Sequence, residues 1–164
     1  MAIETERRQS GLWSVLYQPD IPPRTINKFQ KIFDYLGIVV ITDVRFAAMT
    51  KMNMACFQAT NAFAASTNTL LSYDGFKVDN QPWLIFSEKI NLHGTPQLGH
   101  NVLRIAETKI DAPFALIDPA CYLYDIPYKE MPIAVGNQNF LERAMSELYS
   151  SATKKYLTTK LQFH

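Results

Sequence analysis

Apolar residues recur at helical spacing near both ends of this chain, and most of what lies between reads as strands. Ile26, Phe29, Ile32, Phe33 and Leu36 fall on one helical face and predict a helix over residues 25–36. Thr25 is placed to cap it and Gly37 to end it. Ile38, Val39, Val40, Ile41 and Thr42 follow at once; β-branched and apolar on both faces, they predict a central buried strand. Residues 50–66 favour a helix, with Met52, Ala55, Cys56, Ala59, Ala62 and Phe63 on its face.

From residue 69 to 126 the pattern is mainly β. Asp74-Gly75 between two apolar runs signals a hairpin, and residues 79–82 signal a second turn before a strand over 83–92. Residues 93–100 read as a loop from their Gly and Pro content. Strands are expected within 102–110, over 114–117 and over 121–126, with a connector over 127–136. A closing helix spans 139–157, with Leu141, Met145, Leu148, Ala152 and Tyr156 on one face. Asn139 and Glu142 resemble a capping box at its start.

Regular βαβ alternation is missing. The fold class expected is therefore α+β: a single domain over 24–164, with an antiparallel or mixed β-sheet meander packed by an N-proximal and a C-terminal helix. Residues 1–23 read as an extended N-terminal arm, because Pro19, Pro22 and Pro23 exclude a continuous helix.

Composition narrows the function without naming it. The chain has 164 residues, 48% of them apolar, enough for one core without metal or disulfide staples. Sixteen basic and fifteen acidic residues leave a net charge of +1, with no basic stripe, so nucleic acid is not an expected partner. Tyr73, Phe76, Trp83 and Phe86 beside Lys77 and Lys89 could stack bases on a sheet, but the same residues suit a core face better. No apolar run reaches bilayer length and no signal-peptide core opens the chain, so a cytoplasmic setting without membrane contact is expected. Cys56 and Cys121 read as buried free thiols.

Candidate chemistry is sparse. His93 and His100 share the Gly/Pro loop, but they are seven positions apart, and the candidate acids Asp74, Glu88, Glu107 and Asp118 form no cluster in sequence. Of the two, only His93 has a Thr two positions on, at Thr95, so a two-histidine phosphoesterase pattern fails. Cys121 could in principle be a nucleophile activated by either histidine, yet its apolar context favours burial. No phosphate-binding glycine loop and no Gly-x-Ser-x-Gly elbow occurs. No metal and no cofactor are expected.

The surplus is apolar residues in irregular places. Trp13, Leu16 and Tyr17 in the arm, Tyr122, Tyr124, Tyr128 and Met131 in a Pro-rich stretch, and Phe163 at the end suggest surface given to other protein chains, with docking of the arm on its own domain's core the equal alternative for its aromatics. The expectation is a non-enzymatic structural subunit of a homo-oligomeric or larger complex. A phage tail, neck or connector component suits this layout by analogy of fold alone. The alternatives are a small hydrolase or transferase using the His93/His100 loop with an acidic partner, and a small-molecule- or protein-binding module with a pocket between sheet and helix.

Overall fold

The computed structural model describes residues 6–10, 13–42, 60–61, 64–65, 67, 75–86, 97–108, 112–121, 126–152 and 160–163. They form an α+β domain around a seven-stranded mixed sheet. The strands are β1 (Glu6–Ser10), β2 (Trp13–Tyr17), β3 (Phe76–Phe86), β4 (Gln97–Glu107), β5 (Phe114–Ile117), β6 (Ile133–Gly136) and β7 (Lys160–Phe163). Their spatial order is β1-β2-β6-β5-β4-β3-β7. Every pairing is antiparallel except β2 with β6, where Leu16 lies beside Ala134 and Tyr17 beside Val135. Two helices pack the sheet, α1 (Pro23–Thr42) and α2 (Gln138–Ala152).

The helices lie on opposite faces, and strand alternation shows which residues each one covers. Phe29 of α1 meets Phe76 edge-on at 5.5 Å, and Lys28 Nζ reaches Glu107 Oε1 at 3.3 Å. Phe76 and Glu107 are cross-strand partners, so both belong to the α1 face. Leu103 and Ile105 share that face and are fully buried. His100, Val102 and Arg104 point the other way, toward α2. On that face the Arg104 guanidinium sits 4.3 Å over the Phe114 ring.

The helical face read over residues 25–36 is the one that packs: Ile26, Phe29, Ile32, Phe33 and Leu36 are all buried. The helix itself is longer than expected at both ends. Pro23 opens it, a position where the missing N–H costs nothing, and the Pro22 carbonyl accepts from the amides of Thr25 and Ile26. Thr25 is therefore inside the helix and is not its cap. Residues 38–42, expected as a central strand, continue α1 instead. Propagating a helix fixes one residue per added hydrogen bond, so a modest β preference does not stop it once formed.

Within the first 23 residues, 6–10 and 13–17 form a β-hairpin that joins the sheet. Trp13, Val15, Leu16 and Tyr17 are buried in the core of their own chain, and the hairpin supplies two strands of the sheet. Asp20 turns the chain into α1 with a φ of 70°, a left-handed conformation that Asp tolerates better than most residues.

The expected turn at 79–82 lies within β3. Among the described residues the β3–β7 ladder covers 83–86, so Pro82 stands just past its end, a place in a sheet that proline tolerates. The expected connector over 127–136 contains β6, whose four residues are all buried. It also holds a one-turn 3₁₀ helix (Tyr128–Glu130). Residues 97–100, read as loop, begin β4. Cys121 belongs to a turn, not a strand, and 122–125 lie outside the described residues.

The cap of α2 is Asn137, not Asn139. Its Oδ1 accepts from the Phe140 amide at 2.9 Å, and its carbonyl takes the first helical bond, from Leu141. Gly136 stands just before it. A Cβ there would lie 2.5 Å from Phe140 Cδ1 and 2.9 Å from Gln18 Oε1, so the close approach of β2, β6 and α2 requires glycine.

Within residues 50–66, positions 60, 61, 64 and 65 are helical, and Asn61 accepts a hydrogen bond from Asn80 of β3. Cys56 and residues 69–74, which include the expected hairpin partner of β3, lie outside the described residues.

Candidate functional site

The polar residues that could support chemistry converge at the α2 side of the β4–β5 junction. Asp118 follows β5 directly. Asp-Pro-Ala-Cys over 118–121 forms a tight turn closed by the Cys121 amide donating to the Asp118 carbonyl (3.3 Å), and Pro119 suits its second position. The side chain folds onto the same turn, with Oδ1 accepting from the Ala120 amide at 2.9 Å. A bond from the Asp118 amide to the Pro132 carbonyl at 3.2 Å holds the turn against the entry to β6.

His100 and Tyr149 complete the cluster. Leu103 pairs with Ile117, so His100 falls diagonally across from position 118 on one face of the sheet. Its Nε2 lies 2.8 Å from Asp118 Oδ2. Tyr149, from the last turn of α2, donates its hydroxyl to the same oxygen. The carboxylate thus joins β4, the β5 turn and α2.

The cluster is sealed. His100 is 2% exposed and Asp118 and Tyr149 are 0% exposed, so no substrate reaches them in this conformation. A buried carboxylate is tolerated when its lone pairs are satisfied, and three donors do that here. Chemically, the arrangement can orient an imidazole. As built, it locks three elements together.

The other sequence candidates scatter. Cys121 is fully buried and its thiol donates to the Ile126 carbonyl at 3.4 Å. His93, Tyr122 and Tyr124 lie outside the described residues. Tyr128 and Phe163 are placed by their backbones alone, in the 3₁₀ turn and opposite Trp83 on the edge strand β7. Trp13, Leu16 and Tyr17 face the chain's own core. Phe76 packs in the core as well, against Phe29.

Sequence reasoning placed Asp118 among unclustered acids and did not single out Tyr149. The available signal was the Asp-Pro turn ending a strand beside one that carries a histidine.

A second feature was not anticipated at residue level. An open cleft of about 220 Å³ lies between the β1–β2 hairpin, the 3₁₀ turn and α2. Arg7, Lys129 and Glu130 are exposed at this cleft, while Met131 is buried and Leu148 half-buried.

Among the described residues no group of three or more His, Cys, Asp or Glu could hold a metal ion. Among them, too, no helix is long and apolar enough to cross a membrane. No protein-family model matches the chain, and neither does any curated protein or solved structure.

Proposed function

We propose that the protein is a non-enzymatic structural subunit of a homo-oligomeric assembly, working by contact and not by catalysis. The observation that carries this reading is the open sheet. Among the described residues it ends at β1 on one side and β7 on the other, and an edge strand offers main-chain donors and acceptors that a neighbouring chain can pair. The two edges differ, so an edge-to-edge contact between β1 and β7 would be heterologous and would build a ring or a filament. Phe163, an expected interface residue, is carried by β7.

The setting we assign is a virion component of the phage tail, neck or connector type, assembled in the host cytoplasm. That finer assignment rests on the generic layout of a sheet with two helices.

The test is native mass across concentration, by light scattering or native mass spectrometry. A discrete oligomer or steady polymer growth is expected. A strict monomer at the highest concentration would overturn the homo-oligomeric reading.

One observation favours a second reading, a small hydrolase or transferase. His100 does have an acidic partner, 2.8 Å away. Its burial stands against this. Turnover on a panel of ester and phosphoester substrates, lost in a folded Asp118→Asn variant, would favour the enzyme.

A further inference from the structure

We infer that the cleft beside the N-terminal hairpin is a binding site for a carboxylate carried on a short apolar stem. The cationic side comes from Arg7, which sits opposite Leu16 in the β1–β2 ladder. Its Nη1 donates to Ser14 Oγ at 3.0 Å, which uses one of its five N–H donors and fixes the direction of the rest. Lys129, on the 3₁₀ turn, adds a second cation. Neither is ion-paired among the described residues.

The apolar side comes from Met131, 2% exposed, and from Leu148 of α2, which packs on the core. A guanidinium held by a hydroxyl above an apolar floor suits a carboxylate with a hydrocarbon tail. Glu130 lines the same cleft, so two cations face one anion there. That balance favours a monoanion over a phosphate dianion. The volume of about 220 Å³ is below that of sites for drug-sized ligands and suits a small acid or a single acidic side chain.

The test is a titration of the full-length protein with butyrate, followed by amide chemical shifts in NMR, with butanol and inorganic phosphate in parallel. Saturable shifts at the cleft residues with butyrate, and none with butanol, are expected. Arg7→Met, and separately Lys129→Met, replace exposed side chains and should each weaken butyrate binding by about tenfold to a hundredfold.

Equal shifts with butanol, stronger binding of phosphate, or unchanged affinity in both variants would overturn the site. Light scattering at saturating butyrate separates the two sources of the natural carboxylate. Dissociation of an oligomer identifies an acidic side chain of a neighbouring copy, and an unchanged mass identifies a free acid. The titration needs no oligomer, so its failure and that of the assembly reading are distinguishable.

Discussion

Removing the Tyr149 hydroxyl asks whether the buried cluster behaves as one unit. Tyr149→Phe deletes one donor to Asp118 and leaves the carboxylate with His100 Nε2 and the Ala120 amide. A hydrogen bond to a charged acceptor contributes about 1.5–3 kcal/mol. In a domain of this size that lowers Tm by about 3–12 °C. Asp118→Ala removes the acceptor shared by the buried histidine, the hydroxyl and the Ala120 amide and should cost about 3–5 kcal/mol. The double variant carries the sharper expectation. Without the carboxylate the Tyr149 hydroxyl has lost this acceptor, so Tyr149→Phe costs clearly less in the Asp118→Ala background than in the wild type. Urea denaturation of the four proteins measures the cycle, with unchanged m-values as the condition for comparing them. Equal costs of Tyr149→Phe in the two backgrounds would refute a cooperative lock.

Other expectations follow from single contacts. Gly136→Ala should destabilise by about 1–3 kcal/mol, read from the denaturation midpoint, since the added Cβ meets the Phe140 ring and the Gln18 side chain. Asn137→Ala should cost about 1 kcal/mol through the lost cap of α2 and show as reduced helical ellipticity near the transition. Phe29→Ala opens a void between Phe33 and Phe76 and should cost about 3–5 kcal/mol by the same assay. Deleting residues 1–20 removes both hairpin strands and four core side chains, so a chain without cooperative unfolding is expected, not a folded one with an altered partner.

Periodicity found what repeats and missed what is short. The face of α1 and the apolar row Leu141, Met145 and Leu148 of α2 were visible because each spans several turns. The strand over 114–117 was visible as a compact apolar run. β2 was not, because its residues are buried on both sides and carry no alternation; Trp-Ser-Val-Leu-Tyr in a proline-bounded segment reads equally well as a docking arm. β6 has four residues between Pro132 and Asn137, too few for a period. The site failed for another reason. His100, Asp118 and Tyr149 come from three elements, and only the β4–β5 register and the seat of α2 bring them together. Sequence spacing holds no trace of that.

The parallel pairing of β2 with β6 also governs when the protein can fold. Gln18 bonds to Asn137 across 119 residues of chain, so the hairpin is synthesised well before the strand it must pair with. At ordinary synthesis rates that interval is on the order of ten seconds. Until then Trp13, Val15, Leu16 and Tyr17 lack their central neighbour. Ordering so distant a contact is slow, since loop closure must precede any gain from the pairing. The nascent chain is therefore most exposed to aggregation, and most dependent on a chaperone, before residue 136 has emerged.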